Sequence, residues 1–380
     1  MALVVLSAAV LLVATALLMA SGPSATNPGR GPTEASQAIA GPAATTQARD
    51  QAFGAALYFL RRYEQPGGRV VRWDQGGDTV SEGEAYAMLL SVAAGDRDRF
   101  DAAWNWTRSH LLQPSGLLAW HWARGRVTST EPAADADVDA AYALELAASR
   151  FGESADRAAA AAMVSAVVRD ESVAGSSGLI LVAGPWAVGP PAYANPSYAS
   201  PEELSALGGL TTDGRDFAAL AAGTRDLVGQ VLAADALPPD WVQLNAGRPQ
   251  AIAPPGQAPE DGYGYDAVRL PIRWAASCDV TDRRVAAALW PPLDRLAKAG
   301  RATVGLRLSG RGGPQARRAP VGLVAAAAAG WAARHRGAAL ELLGRAEAAN
   351  QAHPTYYSSA WVALGRMLLE TRRLGTCGAA

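Results

Sequence analysis

The sequence has few cysteines, few histidines and almost no net charge, and each shortage excludes a class of function. Two cysteines and four scattered histidines cannot supply a zinc-ligand cluster of the usual spacing. The 34 basic residues nearly cancel the 35 acidic ones and form no basic block, so the chain lacks the electrostatic footprint of a nucleic-acid-binding protein. We therefore expect no metal centre and no nucleic-acid partner.

Two short motifs suggest a cofactor or calcium site, and both fail in context. Residues 262–267 match G-x-G-x-x-A, but no predicted strand precedes them, which a phosphate-binding turn requires. The segment that starts at Asp135 begins like a calcium loop. Its sixth residue is Ala140 instead of glycine, and its twelfth is Leu146 instead of glutamate. We predict no cofactor.

Tryptophan is the aromatic residue that the chain has in excess, with 11 tryptophans against 5 phenylalanines in 380 residues. Because 49% of the residues are hydrophobic and only 18% are charged, the chain can bury a large core, which excludes wholesale disorder. Flat side chains with a polar tip are suited to ligands such as sugars. Core filling is the alternative explanation for any single tryptophan.

The first 47 residues are predicted to be separate from the folded domain. Residues 2–20 are almost entirely apolar, interrupted only by Ser7 and Thr15, which is typical of an export signal or a membrane anchor. Residues 21–47 are rich in small and turn-forming residues and predict a disordered linker. We expect the domain formed by residues 48–380 to lie outside the cytoplasm, either secreted or tethered to a membrane.

The two cysteines, Cys278 and Cys377, would then lie in an oxidising compartment. A disulfide between them would close a long loop and would contribute about 4 kcal/mol on the chain-entropy model. The sequence does not decide whether the two thiols meet, so one disulfide and two free thiols both remain open.

Apolar residues recur at helical spacing throughout the rest of the chain, whereas strand-like alternation is rare. Only 178–184 and 302–308 are weak strand candidates. No fixed repeat and no second linker occur, so we predict one all-α domain with its helices paired in hairpins. The predicted helices are 48–63, 82–95, 97–112, 136–151, 155–169, 201–208, 213–234, 265–277, 281–299, 317–334, 336–350 and 356–373.

Two long stretches without helical periodicity, 185–201 and 236–264, are rich in proline, glycine and aromatic residues. Long irregular loops in a compact domain usually carry function. We therefore expect their aromatic side chains, which include Trp186, Tyr198 and Trp241, to meet a ligand.

Three predicted loop-to-helix junctions each present a carboxylate. Glu82 lies at the first helical position of one junction, and Asp135 is the predicted N-cap of the next. At the third junction, Asp266 precedes Arg269 by three residues. Each also has a purely structural explanation: compensation of the helix dipole, N-capping and a local ion pair.

The first junction also contains a predicted capping box, with Ser81 as N-cap and Glu84 three residues later. A helix N-terminus favours an ionised carboxylate, whereas a catalytic acid must hold a proton. Burial or a neighbouring carboxylate would therefore have to oppose the helix dipole at Glu82.

Paired carboxylates are what glycoside hydrolysis requires, because an acid protonates the leaving oxygen and a base activates water. In its motifs the chain resembles glycoside hydrolase family 8, the family of bacterial endo-β-1,4-glucanases that includes the periplasmic cellulase of cellulose-synthesis systems. The resemblance covers nearly all of residues 48–373. Its motifs are DTVSEGEAY at 78–86, FDAAWNWTRSH at 100–110, GLLAW at 116–120, DADVDAAYALEL at 135–146, NPSYASP at 195–201, PDW at 239–241, YDAVR at 265–269 and YYSS at 356–359.

The resemblance implies an (α/α)6 barrel of six inner and six outer helices, with a sugar cleft across one end. It also implies inversion of the anomeric centre, with Glu82 as general acid and Asp266 as general base. Asp135 corresponds to a residue that holds the sugar at the cleavage subsite. Arg269 and Tyr265 correspond to base-supporting and sugar-contacting positions. The implied aromatic subsite residues are Trp120, Trp186 and Tyr198.

Four positions depart from the family pattern. Glu84 replaces the usual glutamine, Ala87 the usual glycine, and Ala134 the usual serine or threonine, while Glu145 stands where the family is apolar. None of these changes removes a catalytic carboxylate. The changes at 84 and 134 affect the expected surroundings of the catalytic acid.

The resemblance therefore predicts an inverting endo-β-1,4-glucanase, a monomer whose partner is its β-glucan substrate. Two alternatives remain open at this point. The same catalytic residues could act on chitosan, xylan or mixed-linkage glucan. Alternatively, the protein could be a glycan-binding or assembly component of a polysaccharide-secretion system, although the presence of both Glu82 and Asp266 argues against lost hydrolysis.

Overall fold

The computed structural model describes residues 42–210, 215–246, 248–253, 262–300 and 304–375. The predicted export segment, most of the predicted linker and Cys377 lie outside these residues. In the described part of the chain, no helix is long and apolar enough to cross a membrane. Cys278 is not a free thiol, and its pairing with Cys377 stays a prediction.

Thirteen α-helices lie within the described residues, close to the positions that helical periodicity predicts. They are α1 (Pro42–Tyr63), α2 (Ser81–Ala94), α3 (Arg97–His110), α4 (Ala134–Phe151), α5 (Ser154–Asp170), α6 (Pro201–Leu207), α7 (Arg215–Ala234), α8 (Arg269–Ala275), α9 (Val280–Ala288), α10 (Trp290–Lys298), α11 (Pro320–Ala332), α12 (Arg336–Ala352) and α13 (Tyr356–Glu370).

Six of these helices form a closed inner ring. In chain order they are α2, α4, α6, α8, α11 and α13; each contacts the next, and α13 contacts α2. The other helices pack outside this ring: α1 against α13 and α2, α3 against α2, α5 against α4, α7 against α6, and α12 against α11. Helices α9 and α10 together fill the outer position beside α8 and α11. The predicted (α/α)6 barrel is therefore confirmed.

Small residues allow the inner helices to be covered on every side. Helix α11 is the clearest case, because its alanine-rich centre is buried without a polar face. Helix α13 approaches it at Gly365, where an added Cβ would lie 2.3 Å from Cγ1 of Val324. Only a glycine allows the two helices to pack this closely.

The N-terminal ends of α2, α4, α8 and α13 meet at one end of the ring. The Arg269 side chain at the start of α8 reaches the first turns of α2 and α4. The Tyr356 hydroxyl at the start of α13 lies 2.8 Å from where a Cβ on Gly83 of α2 would be. This end of the barrel therefore collects the first turns of helices that are far apart in sequence.

Short strands surround this end and the connecting loops. One antiparallel sheet joins β1 (Thr79–Val80), β2 (His121–Ala123) and β3 (Arg126–Ser129), with Val80 opposite His121. A second sheet joins β6 (Ala192–Ala194), β7 (Trp241–Asn245) and β8 (Arg248–Ile252). The remaining strands form two hairpins, β4 (Ser172–Ala174) with β5 (Leu179–Leu181) and β9 (Val304–Leu306) with β10 (Gly312–Arg317).

Several expected boundaries were wrong. The stretches 185–201 and 236–264 are not wholly irregular, because they contribute the three strands of the second sheet. The helix expected at 281–299 is two helices, α9 and α10, because the two prolines that follow Trp290 cannot donate the backbone hydrogen bonds that would continue α9. Both weak strand candidates are strands, β5 and β9.

Candidate active site

The Arg269 guanidinium lies at the centre of the residues that the sequence singles out. Its Nη1 donates to Asp135 Oδ2 at 2.7 Å and to Glu82 Oε1 at 3.2 Å. Its Nη2 donates to Asp266 Oδ1 at 2.7 Å. One buried cation thus brings together the three predicted carboxylates, which come from α2, α4 and the turn before α8.

These carboxyl groups differ in their access to water. The Asp135 side chain is 1% exposed, whereas the side chains of Glu82 and Asp266 are 27% and 32% exposed. Because the terminal nitrogens of one guanidinium form a rigid fork, the bonded oxygens of Glu82 and Asp266 lie no more than about 8 Å apart. The arrangement is a buried Arg269–Asp135 floor beneath two carboxylates that solvent can reach.

Electrostatics favour keeping a proton in this cluster. Burial raises the pKa of Asp135 well above its usual value; the charge of Glu82 raises it further, and Arg269 opposes both. Burial disfavours the charge on Arg269, but the surrounding acidic groups outweigh it and hold its pKa well above the usual value. One cation faces three carboxylates, and the protonated form is favoured at Asp135, the buried member.

The ion pair between Asp266 and Arg269 is confirmed, but both capping predictions are wrong. Helix α2 begins at Ser81 itself, with Val80 as N-cap. The Glu84 carboxylate instead accepts hydrogen bonds from the Val70 N–H at 2.7 Å and the Thr107 hydroxyl at 3.4 Å.

Asp135 is not an N-cap either. Helix α4 begins at Ala134, after Ala133. The Asp135 carboxylate accepts from the N–H of the next residue at 3.0 Å and from Arg269. The side chain is directed into the barrel, where a buried arginine is the stronger partner.

The Asp266 side of the site carries an aromatic group. The Trp241 indole N–H donates to Asp266 Oδ2 at 3.0 Å. The Trp241 ring packs against Trp186 at 6.1 Å and Tyr198 at 6.0 Å between centroids. The Arg269 guanidinium lies 5.0 Å from the centre of the Tyr198 ring. Trp241 therefore links two of the predicted aromatic subsite residues, Trp186 and Tyr198, to Asp266.

Trp120 lies on the Glu82 side. Its carbonyl accepts a hydrogen bond from the Ser81 N–H at 2.9 Å, and its ring stacks on His121 at 4.7 Å. His121 in turn contacts Asp78 through Nε2 at 2.8 Å, and Arg72 forms an ion pair with the same carboxylate. This chain of contacts fixes the wall that carries Trp120.

Two residues that belong to the site were not among the predicted site residues: Tyr357, which was given no role, and Trp241, which was expected only to meet a ligand as one of the loop aromatics. The Tyr357 hydroxyl donates to the Tyr265 carbonyl at 2.5 Å, and the two rings meet edge to face at 5.7 Å. The signal was present, because both residues lie in motifs that carry the resemblance, PDW and YYSS.

No group of three or more histidine, cysteine, aspartate or glutamate side chains within the described ranges is arranged to hold a metal ion.

Comparisons with known proteins show the family of the chain. The model of the family "Glycosyl hydrolases family 8" matches residues 39–369. A protein of Novacetimonas hansenii named "Probable endoglucanase" is 30% identical over 222 residues; the match covers 56% of this chain and 64% of that protein. The endoglucanase of Cellulomonas uda is 36% identical over 90 residues, which are 23% of this chain and 25% of that one.

The fold is shared with solved structures. Endo-beta-1,4-glucanase CMCax from Acetobacter xylinum superposes with a TM-score of 0.68 at 25% identity, covering 84% of this chain and 99% of that one. A cold-adapted family 8 xylanase has a TM-score of 0.72 at 17% identity, covering 88% and 93% of the two chains, which shows likeness of fold alone. Since the family model spans most of the sequence, the chain belongs to glycosyl hydrolases family 8.

Proposed function

We propose that this protein is an inverting endo-β-1,4-glucanase that hydrolyses internal bonds of a cellulose-like glucan. The observation that carries the proposal is the Arg269 cluster, which joins two solvent-accessible carboxylates over a buried third one. The family match supports a glycoside hydrolase, and the relatives named endoglucanase support the substrate class. The matched segment spans only 64% of the Novacetimonas protein. The activity of this chain is therefore proposed here and is not transferred from that relative.

In the proposed reaction, Glu82 is the general acid and Asp266 the general base. Glu82 gives its proton to the glycosidic oxygen as the bond from that oxygen to the anomeric carbon breaks. Asp266 takes a proton from the water whose oxygen forms the new bond on the opposite face of the sugar. The upper limit of about 8 Å between their bonded oxygens is compatible with the separation of about 6.5–9.5 Å in inverting enzymes, which leaves space for that water.

Asp135 and Arg269 hold the reacting groups in place. Arg269 binds one oxygen of each catalytic carboxylate, which fixes their relative position. Asp135 anchors Arg269 from below, and its other role, taken from the family resemblance, is to bind the sugar at the cleavage subsite. Both side chains are 1% exposed, so they form a rigid base for the site.

The aromatic side chains supply the proposed grip on the polysaccharide. A β-1,4-glucan chain is a flat ribbon with apolar C–H faces, on which aromatic rings stack. Trp120 lies on the acid side, while Trp186 and Tyr198 lie on the base side. Tyr265 is 36% exposed beside Asp266 and is placed to contact a sugar. The ribbon would therefore cross both carboxylates.

Export is part of the proposal. The apolar segment 2–20 is taken as a cleaved signal or an anchor, and the segment that follows it as a linker to a catalytic domain within 48–380. Both arrangements place the enzyme outside the cytoplasm, where an extracellular glucan is accessible.

An assay of the full chain on carboxymethyl-cellulose, chitosan, xylan and mixed-linkage glucan tests the substrate. We expect the fastest hydrolysis on the β-1,4-glucan, with an internal cleavage pattern and an initial α-anomer product detected by proton NMR. Faster cleavage of another polymer would identify that polymer as the substrate instead. A β-anomer as the initial product would contradict the inverting mechanism. Binding without cleavage would indicate an assembly role.

A further inference from the structure

A second carboxylate, Asp240, holds the turn that carries Asp266. Its Oδ1 accepts hydrogen bonds from the Gly264 N–H at 2.9 Å and the Ala267 N–H at 2.7 Å. Its own N–H donates to the Gly262 carbonyl at 2.8 Å. These bonds attach Asp240 to the backbone on both sides of Asp266.

The contact is close enough to exclude a side chain. A Cβ added at Gly264 would lie 2.1 Å from Asp240 Oδ2, so the turn lies directly against the carboxylate. Two N–H groups that converge on one carboxylate oxygen form charge-assisted hydrogen bonds, which are stronger than neutral ones. Asp240 therefore holds two amides of this turn, one on each side of Asp266, while the Tyr357 hydroxyl holds the Tyr265 carbonyl.

Trp241, the residue that follows Asp240 in the chain, binds the Asp266 side chain itself. Trp241 is 8% exposed and lies in β7, where it is paired with Ile252 of β8. Its indole N–H binds Asp266 Oδ2, while Arg269 binds Oδ1. With a fixed backbone and a partner for each oxygen, the plane of the Asp266 carboxylate is set.

We propose that Asp240 is a positioning residue, which fixes the 264–267 backbone so that the Asp266 carboxylate faces the attacking water. This inference rests on the proposed function, in which Asp266 is the base. In this role Asp240 touches neither the sugar nor the water; it acts through Asp266.

The charge of Asp240 adds a second effect. Burial, and then the charge of Asp266, raise the pKa of Asp240 to about 7; the two backbone N–H bonds and Arg269 oppose this rise. A charge on either carboxylate disfavours a charge on the other. Asp240 therefore gains its charge only as the pH rises through about 7, and that charge strengthens its hydrogen bonds from the two backbone N–H groups.

Two substitutions in the full chain separate these effects. Asp240→Ala removes the acceptor for both backbone N–H groups, and we expect kcat to fall by about 100-fold with KM within about threefold. Asp240→Asn keeps a carbonyl oxygen for both bonds but cannot ionise, so kcat at pH 8 should fall by about three- to tenfold, and the difference should shrink as the pH falls below about 7.

Asp282 provides a matched control in the outer helix α9. It is buried and accepts hydrogen bonds from Arg225 and from the Ser277 hydroxyl. Asp282→Asn should lower the melting temperature and leave kcat and the pH profile unchanged. The proposal is overturned if folded Asp240→Ala keeps kcat within about threefold of the wild type.

Hydrogen exchange of the peptide that covers 262–268 gives a readout that needs no substrate. We expect the Gly264 and Ala267 amides to exchange faster in Asp240→Ala than in the wild type; unchanged exchange would overturn the proposal. If the wild type cleaves no glycan, the proposed function fails, and the exchange rates still decide the positioning role. If Asp240→Ala does not fold, the kcat and pH profile of Asp240→Asn decide it, and values equal to those of the wild type would overturn it.

Discussion

Two arginine–carboxylate clusters lie one helical turn apart on the same pair of inner helices. At the end of the barrel, Arg269 of α8 binds Asp135 of α4. Four residues later on both helices, Arg273 binds Asp139 through two bonds of 2.6 and 2.8 Å. The deeper cluster adds only Glu203 of α6, at 3.0 Å from the same guanidinium.

The two clusters differ in charge balance and in access to water. Arg273 faces two carboxylates, and every member of its cluster is at most 8% exposed. Arg269 faces three carboxylates, and two of them reach solvent. The same arginine–aspartate pair thus serves structure where it is enclosed. In the proposed function it serves chemistry where an additional carboxylate is present and solvent reaches two of the three acids.

The largest expected effect of this difference is on catalysis. Glu82→Gln should lower the rate of glucan hydrolysis by at least about a thousandfold, because the amide keeps the shape but cannot donate a proton to the glycosidic oxygen. Asp139→Asn in the deeper cluster is the matched change, and it should leave kcat within about threefold. Steady-state kinetics of both variants measure the contrast. If Glu82→Gln keeps a tenth of the wild-type activity, Glu82 is not the acid.

The deeper cluster should instead dominate stability. Arg273→Met leaves two enclosed carboxylates without their cation, and we expect the free energy of unfolding to fall by about 3–5 kcal/mol in urea titrations. Arg269→Met should cost less stability, because water reaches two of its partners, yet it should abolish activity. Equal losses of stability in the two variants would contradict the comparison. If Arg273→Met does not fold, the free energies of unfolding of Arg273→Lys and Arg269→Lys are compared instead. We expect the larger loss of stability in Arg273→Lys.

Aromatic side chains extend the comparison between enclosed and accessible groups. Trp186→Ala should weaken binding of a cello-oligosaccharide by about 1–3 kcal/mol, because a stacking surface is lost, with little change in melting temperature. Trp104 is only 7% exposed on α3, so Trp104→Ala should cost about 3–5 kcal/mol of stability and leave binding unchanged. Calorimetric titration and thermal melting of both variants measure the two effects. The reverse pattern would mean that Trp104 contacts the sugar and Trp186 fills the core.

The amphipathic pattern of α3 predicts core positions for both of its tryptophans, Trp104 and Trp106, but Trp106 is only partly buried. Trp106 is half-buried at the surface, where its ring stacks on His110 at 4.5 Å and meets Trp122 at 5.6 Å. Helical periodicity identifies the apolar face of α3 but does not show how far an outer helix is covered. Trp104 lies on the covered side of the same helix.

Most of the fold and the polar residues of the Arg269 cluster could be predicted, because their sequence signals are local or lie in ordered motifs. Helical spacing gave nearly every helix, and the junction carboxylates Glu82, Asp135 and Asp266 stood within recognisable motifs. Three-residue strands such as β6 were missed, because so few residues do not establish a two-residue period.

The deeper cluster could not be predicted from local pattern. Asp139 and Arg273 are 134 residues apart in the chain, and Glu203 is 70 residues from Arg273. From the sequence, the acids that start α4 are equally consistent with a solvated first turn. Closure of the ring buries all three of them, and local spacing does not contain that information.

The smallest expected effect concerns a carboxyl group whose hydrogen-bond donors are neutral. Glu84 follows Glu82 by two residues and is buried, with hydrogen bonds from the Val70 N–H and the Thr107 hydroxyl. Burial raises its pKa well above the usual value. Because the pKa is higher in the folded state than in the unfolded state, the stability from protonated Glu84 is complete below about pH 4.5 and is lost as the pH rises toward the folded-state value.

Glu84→Gln should therefore be more stable than the wild type at alkaline pH, by at least about 1 kcal/mol at pH 8, with the difference shrinking toward pH 4. The amide oxygen can still accept from Val70, and no charge has to be buried. Urea unfolding between pH 4 and pH 8 measures the effect, with Glu341→Gln as control, since the Glu341 side chain is 72% exposed. If the wild-type and Glu84→Gln stability curves stay parallel across this range, the protonation of Glu84 does not change on unfolding. The contrast between enclosed and accessible carboxyl groups would then not extend to α2.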